Sequence, residues 1–264
     1  MSVLVCFHAH PDDEVLSTGG LMRKAADHGH EVHLVTATRG EHGEPKPGVV
    51  QPGEELWERR VKEVAEAAAI LGCASNDFLG YEDSGMMGEG TNENPACFWR
   101  ADIDEAAQRL AAKLLQVDAD VLTIYDPHGL YGHPDHIQVH RVGLRAAEIA
   151  GVQHVYEATV SREDAQAAME EHNLDPDAEH DSDDAVNEEF GVPRAHIRYS
   201  VNVRAQLEAK RRAIQAHRSQ ISDDDFFLAV PDDVFQVIFG QEFFAITDDG
   251  DIGGPTEVEL LPGL

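Results

Sequence analysis

The chain has 264 residues, enough for one domain with a sizeable core, and its 50 acidic against 20 basic residues give a formal charge of −30. Such acidity disfavours nucleic acid or an anionic membrane as a partner, because both need Lys and Arg. No apolar run approaches the ~20 residues that cross a bilayer, no basic and apolar leader opens the chain, and the three cysteines are widely spaced. We therefore expect a protein of the reducing cytoplasm.

Strand and helix patterns alternate along the chain. The predicted strands are 3–7, 31–36, 78–79, 121–125, 152–156 and 197–203, and the predicted helices are 15–28, 54–71, 103–115, a stretch ending near 150, 162–171 and 205–220. This alternation predicts a Rossmann-like α/β fold, a mostly parallel sheet with helices on both faces, in a single domain spanning 1–264. The acidic run near 173–189 is predicted to be a solvated excursion.

One short phrase occurs twice, as HPDD at His10–Asp13 and as HPDH at His133–His136. Each copy follows a predicted strand and precedes a helix. Proline is favoured at the first helical position and the histidine before it can cap the helix, so each phrase is predicted at a strand-to-helix turn. Because such turns of a parallel sheet lie along the carboxyl edge of the strands, where ligands bind, we expect the two phrases to converge.

The residue types in these phrases point to metal-assisted hydrolysis. His10 and Asp13 are three positions apart, which places them on one side of a helical turn, and His136 adds a third ligand of the kind a catalytic zinc uses. Three protein ligands leave a position for water, whose pKa zinc lowers to about 7. Asp12 is then free to take a proton from that water, and His133 to stabilise the oxyanion or protonate the leaving amine.

A plainer interpretation exists for a single His-Pro-Asp, which is often only a helix cap. The second copy, also behind a strand, favours a site instead. His8 lies on the apolar first strand, so we expect it in the core or in support of the site rather than as a ligand. The remaining histidines outside the motifs in polar contexts are predicted to face solvent: His28, His30, His33, His42, His154, His172, His180 and His196.

These motifs resemble the zinc-dependent N-deacetylases of the LmbE-like or PIG-L family, which remove acetyl groups from N-acetylglucosamine conjugates, among them precursors of mycothiol and bacillithiol. The resemblance begins with Ala9–Glu14 and Tyr131–His136 and extends over nearly the whole chain. Further matches are Thr38, Gly40–Gly43, Arg60, Glu63, Leu71, Gly72, Tyr81, Asp83–Met86, Lys210, Ala213, His217, Ser219 and Gln220.

The resemblance implies one zinc ion on His10, Asp13 and His136, with Asp12 as the general base. Ligands of these types also admit iron, cobalt or nickel, so the metal in the cell stays open. A pure metal-holding protein needs no extra carboxylate beside the metal, whereas hydrolysis needs a base. Asp12 therefore favours an enzyme over a non-catalytic metal- or sugar-binding protein.

The resemblance also implies roles around the metal. His133 would be the oxyanion stabiliser or acid, with Asp135 orienting its ring, and Tyr131 would polarise the amide carbonyl. Arg60 and Asp83 match positions that hold sugar hydroxyls. Two plainer interpretations remain for these last residues: Arg60 as a surface residue paired with the glutamate one turn on, and Asp83 as a turn residue.

We therefore predict a zinc-dependent hydrolase that removes acetyl from a small N-acetylglucosamine-type conjugate. The alternative within the same chemistry is an amidase acting on a larger amide, such as a mycothiol S-conjugate. The sequence predicts neither nucleic acid nor membrane as a partner and leaves a homo-oligomer open.

Overall fold

The computed structural model describes residues 1–172, 190–247 and 250–264. The predicted acidic excursion at 173–189 lies outside these residues. The strands in the described part are β1 (Val3–His8), β2 (Glu31–Thr36), β3 (Ser75–Phe78), β4 (Val121–Tyr125), β5 (His154–Thr159), β6 (Tyr199–Asn202), β7 (Gln241–Ala245) and β8 (Thr256–Val258).

Helices connect most of these strands. They are α1 (Asp13–Ser17), α2 (Gly19–Asp27), α3 (Leu56–Leu71), α4 (Ile103–Val117), the short turn α5 (Gly129–Gly132), α6 (Pro134–Ala150), α7 (Arg162–His172), α8 (Leu207–Ala216), α9 (Phe226–Ala229) and α10 (Asp232–Phe239). No helix in the ranges given above is long and apolar enough to cross a membrane.

The strands form one sheet in the order β3-β2-β1-β4-β5-β7-β6-β8. β3, β2, β1, β4 and β5 run parallel, and β7 is antiparallel to both of its neighbours. β1 pairs with β2 on one side and with β4 on the other, so the direction in which strands are added reverses between β1 and β4. In an open α/β sheet, the carboxyl ends of two such strands border a ligand crevice.

Side chains of β1 alternate between two hydrophobic clusters. Leu4 and Cys6 belong to a cluster that includes residues of α2, α3 and α8, whereas Val5 and Phe7 belong to one that includes residues of α4 and α6. A parallel strand covered on both faces is apolar along its whole length, which is why its sequence is a continuous apolar run. The predicted mostly parallel sheet with helices on both faces is confirmed.

The predicted helix 15–28 is wrong as a single element, because α1 and α2 meet at a break at Thr18. The backbone N–H groups of Gly20 and Leu21 donate to the Glu242 carboxylate, both at 2.7 Å, instead of to carbonyls one turn earlier. A carboxylate at the start of a helix satisfies N–H groups that would otherwise lack partners. The break thus depends on a residue of β7, more than two hundred positions away.

Two predictions for histidines have opposite outcomes. His8 is buried as expected, with its ring between the Tyr125 hydroxyl at 2.7 Å and Thr18 Oγ1 at 2.8 Å. His33, predicted to face solvent, is buried and hydrogen-bonded to Ser75 Oγ at 2.9 Å. The reason is that β2 lies inside the sheet between β1 and β3, where both faces are covered.

Candidate active site

The first phrase forms the turn between β1 and α1. The N-cap of α1 is Asp12 rather than the predicted His10, and Asp12 has φ 113°, in the left-handed region that non-glycine residues rarely adopt. Its backbone N–H donates to Glu14 Oε2 at 2.9 Å, and the His10 N–H donates to Asp13 Oδ2 at 2.8 Å. Such backbone strain costs of order 1–3 kcal/mol and persists only where the surroundings enforce it.

The second phrase opens α6 as predicted. His133 is the N-cap, Pro134 is the first helical residue, and His133 Nδ1 accepts the backbone N–H of Asp135 at 3.1 Å. Ahead of it, the Asp126 carboxylate accepts the N–H of His128 at 2.9 Å and so shapes the loop that leaves β4. Helix capping by residues next to one another in the sequence therefore explains the position of this motif at the start of α6.

The two turns bring the three predicted metal ligands together. Asp13 lies between the imidazoles: its Oδ2 is 3.4 Å from His10 Nδ1, and its Oδ1 is 3.3 Å from His136 Nε2. The two rings are 5.4 Å apart between centroids, and both are almost fully buried. Donor atoms from distant parts of the chain thus surround one small space at the carboxyl ends of β1 and β4.

The donor set fits a divalent metal. Among the residues that the structure describes, neither ring nitrogen of His136 has a hydrogen-bond partner, although Nε2 approaches Asp13 Oδ1. Buried polar atoms nearly always have a hydrogen-bond partner, so the Nε2 atom of His136 is suited to bind a metal. Two imidazoles and one carboxylate are typical ligands of catalytic zinc and of related transition metals. His133 also offers a nitrogen within 4.8 Å of ligand atoms of His10 and His136.

The predicted pairing of the Asp135 carboxylate with His133 is wrong. Asp135 Oδ2 lies 3.1 Å from His10 Nε2 and accepts the Ser84 backbone N–H at 2.9 Å, while Oδ1 accepts from Ser84 Oγ. Asp83 Oδ1 is 3.5 Å from the same His10 nitrogen. A metal-ligating imidazole usually donates its other N–H to a carboxylate, which fixes its orientation. Asp135 therefore orients His10, and only its backbone contacts His133.

The charges around His10 favour a cation. Burial alone would lower the pKa of His10, but the carboxylates of Asp83, Asp13 and Asp135 raise it well above its usual range. Burial would likewise raise the pKa of Asp13, yet the neighbouring His136 and His10 hold it well below its usual range. Carboxylates that stabilise positive charge on this imidazole also favour a metal ion bound to its Nδ1, on the side of Asp13, by the same attraction.

Asp12 is held by Arg60 at the side of this cluster. Arg60 Nη2 donates to Asp12 Oδ2 at 3.1 Å and to the Pro11 carbonyl, and Nη1 donates to the Gly40 carbonyl at 2.9 Å. Burial raises the pKa of Asp12 to about 6, against the lowering effect of the guanidinium. A general base is most effective when its pKa lies near the working pH. Arg60 is itself buried, so its interpretation as a surface residue is wrong.

Gly40 makes this clamp possible. Its φ is 68°, and a Cβ at this position would lie 2.1 Å from Arg60 Nη1. The absence of a side chain lets the guanidinium reach the turn after β1. The segment Gly40–Gly43, one of those that resemble the family, therefore contains a glycine that the close approach of Arg60 requires.

The surroundings of His133 favour its neutral imidazole form. Burial lowers its pKa to about 2, with further lowering by His10 and His136. Because Nδ1 accepts a backbone N–H, the ring proton belongs on Nε2. Tyr131 lies at the rim, 40 % exposed, with its ring 5.0 Å from that of His136. His133 is thus arranged as a hydrogen-bond donor rather than as an imidazolium.

Asp83 is buried next to the cluster. It belongs to a turn, which is the plainer of the two predicted interpretations of this residue. Its Oδ1 accepts the Gly85 N–H at 2.8 Å, and Oδ2 accepts the His42 N–H at 3.2 Å. Burial would raise the pKa of Asp83, but the adjacent His10 holds it well below its usual range.

Three residues for which no role was predicted also support the site: Ser84, Glu14 and His217. Ser84 binds the Asp135 carboxylate, and Glu14 binds both the Asp12 backbone and His217. An acidic residue in a first helical turn is a signal for such a backbone bond. The Ser84 and His217 contacts join distant segments, for which a single sequence has no local signal.

The chain is similar to known proteins of one family. Residues 5–147 match the model of the PIG-L family, described as GlcNAc-PI de-N-acetylase. The chain is 39 % identical to a 1D-myo-inositol 2-acetamido-2-deoxy-alpha-D-glucopyranoside deacetylase of Thermomonospora curvata, over 91 % of this chain and 89 % of that protein. It is 38 % identical to the protein of the same name from Salinispora arenicola, over 99 % and 91 %. The chain belongs to the PIG-L family.

Solved structures share the fold of this PIG-L protein. The N,N'-diacetylchitobiose deacetylase of Pyrococcus horikoshii superposes with a TM-score of 0.56 at 22 % identity, over 89 % of this chain and 73 % of that one. Teicoplanin deacetylase Orf2 superposes with a TM-score of 0.59 at 17 % identity, over 94 % and 100 %. The predicted family, the Rossmann-like fold and a deacetylase acting on an N-acetylglucosamine conjugate are confirmed.

Proposed function

We propose that this PIG-L protein removes the acetyl group from N-acetylglucosamine linked to myo-inositol, using zinc held by His10, Asp13 and His136. The names of relatives that match 91 % and 99 % of the chain support the inositol conjugate. The observation that carries the chemistry is the convergence of the two turns, with Asp12 beside three metal-type ligands.

His10, Asp13 and His136 would hold the zinc, and the chemistry it would supply there is that of a Lewis acid, lowering the pKa of water and polarising the acetamide carbonyl. Asp12, held at Oδ2 by Arg60 and with 20 % of its side chain exposed, accepts a proton from the attacking water. His133 donates its Nε2–H to the carbonyl oxygen as negative charge develops there. Asp12 then returns the proton to the amine nitrogen as the C–N bond breaks, giving acetate and a free amine.

Two residues near the ligands are proposed to orient the sugar. Tyr131 is exposed beside His133 and is proposed to contact the amide carbonyl. Asp83 is buried, but its carboxylate offers more acceptor sites than the two backbone N–H groups it binds, and it is proposed to hold a sugar hydroxyl next to His10. Arg60 was expected to do the same, but both of its terminal nitrogens donate to the protein and it is 3 % exposed. We therefore propose that Arg60 acts on the reaction through Asp12 rather than by touching the sugar.

Amine release from 1D-myo-inositol 2-acetamido-2-deoxy-α-D-glucopyranoside by the zinc-loaded protein tests this proposal. N-acetylglucosamine alone and a conjugate with a larger acyl group are run in parallel, because faster release from the latter would favour the amidase alternative. Asp12→Asn should keep its metal and lose at least ~10²-fold in kcat. Asp118→Asn is the matched control, since Asp118 also has positive φ but caps the C-terminus of α4. Wild-type turnover by Asp12→Asn would refute Asp12 as the base.

A further inference from the structure

A fully buried acid–imidazole pair lies directly behind the proposed base. Glu14 and His217 are both 0 % exposed, and His217 Nε2 is 2.6 Å from Glu14 Oε1. The other oxygen of Glu14 accepts the backbone N–H of Asp12 at 2.9 Å. An unbroken chain of hydrogen bonds therefore runs from His217 through Glu14 to the backbone of Asp12.

His217 reaches this position from a distant element. It caps the C-terminus of α8, 203 residues after Glu14 and outside residues 5–147 that match the family model. The segment after it is fastened to α3, because Glu63 accepts the backbone N–H of Ser219 at 3.0 Å and its hydroxyl at 2.6 Å. His217 is thus presented to Glu14 by a segment that is itself anchored.

The pair is costly if it only fills the core. Removing a carboxylate and an imidazole from water carries a desolvation penalty that apolar residues of the same volume would avoid. Asp12, in contrast, has a strained backbone that needs enforcement. Arg60 holds its side chain and Glu14 holds its backbone, so the carboxylate is fixed from two sides.

We propose that His217 is a positioning residue for the base: it fixes the Glu14 carboxylate, which holds Asp12 in its left-handed conformation. The proposal rests on the proposed function, because it takes Asp12 to be the general base. A displacement of about 1 Å in a reacting group costs on the order of 10²-fold in rate. We expect His217→Leu to lower kcat by ~10- to 10²-fold while KM and zinc content stay within about twofold of wild type.

His33→Leu is the matched control. His33 is a second buried histidine with a glutamate partner, Glu31 Oε1 at 3.0 Å, but it lies on β2 away from the cluster. We expect this variant to lose thermal stability and keep kcat. Equal losses of kcat in the His33 and His217 variants would overturn the proposal, since a general loss of packing would then explain both.

A double-mutant cycle separates positioning from every other role. If His217 acts only through Asp12, His217→Leu will have no further effect on kcat in the Asp12→Asn background, and the two losses will not add. Additive losses would overturn the proposal while leaving Asp12 as the base. Unchanged kcat in Asp12→Asn alone would instead refute the proposed function.

Conservative variants cover the case in which His217→Leu does not fold. His217→Gln keeps an N–H at the place of Nε2 and should retain kcat within about threefold, whereas the shorter His217→Asn cannot reach Glu14 and should lose ~10-fold or more. Equal kcat values in these two variants would also overturn the proposal.

Discussion

Asp135→Asn is expected to weaken zinc binding without unfolding the site. The carboxylate of Asp135 contacts His10 Nε2 at 3.1 Å and accepts the Ser84 backbone N–H at 2.9 Å through the same oxygen. An amide oxygen in that place can still accept both hydrogen bonds, so the variant removes the charge and keeps the geometry. The metal-facing nitrogen of His10 then becomes a weaker donor to zinc.

The magnitude follows from what remains around His10. Loss of a carboxylate that supports a ligating histidine typically weakens metal binding 10- to 100-fold, about 1.4–2.7 kcal/mol. Asp83 Oδ1 keeps a negative charge 3.5 Å from the same nitrogen, so we expect the lower end, ~10-fold, for Asp135→Asn. Removal of both charges, in Asp83→Asn with Asp135→Asn, should approach ~100-fold.

Competition with a chromogenic chelator measures these affinities on metal-free protein. Ser84→Ala is the control, because it removes a hydroxyl bond to Asp135 and leaves the carboxylate against His10; zinc affinity should change less than about threefold. Unchanged zinc affinity in Asp135→Asn would refute the role of the Asp135 carboxylate in supporting His10. Unchanged affinity together with a shift of the basic limb of the kcat/KM–pH profile would instead restore a pairing of Asp135 with His133.

The remaining predictions test the base, its clamp and the metal. In Arg60→Gln the acidic limb of kcat/KM should move to higher pH, because the guanidinium lowers the pKa of Asp12; an unmoved limb would contradict the clamp. Gly40→Ala should shift the limb in the same direction by displacing Arg60, and its melting temperature should fall, whereas retention of both wild-type values would mean that the close approach is not needed. His136→Ala should lose bound zinc by metal analysis, along with any zinc-induced rise in melting temperature, and full occupancy would refute this ligand. His133→Gln should keep zinc and lose ~10²- to 10³-fold in kcat as an oxyanion donor does; a loss of zinc would make it a ligand instead.

The strand-to-helix turns could be predicted from sequence because their signals are local. Each buried strand is followed within about ten residues by a proline and a polar helix cap, although only Pro134 is a first helical residue. Parallel strands bring such turns to one edge. The pairing of the Asp135 carboxylate with His133, which the family resemblance implied, does not form. The cap bond of α6 satisfies His133 Nδ1 with a backbone N–H, which frees the carboxylate to cross to the other turn.

Other features depend on segments far apart in sequence. The break between α1 and α2 needs Glu242, and the burial of Arg60 needs the turn around Gly40 to fold over it. The environment of His33 depends on its place between two other strands. Polar residues in these positions look like surface residues in the sequence, since burial is decided by tertiary neighbours.

The position of β7 has a consequence for the order in which the protein matures during synthesis. β7 lies between β5 and β6, although β6 leaves the ribosome first, so the edge of β5 stays open until residues 241–245 emerge. Lys210, which bonds the Leu16 carbonyl at 3.0 Å, likewise waits for its partner Glu242 on β7. A nascent chain that already contains both histidine motifs therefore still lacks the strand that anchors α2. Activity should therefore appear on the ribosome only after the β6–β7 pair has formed, although all the proposed metal ligands are made more than a hundred residues earlier.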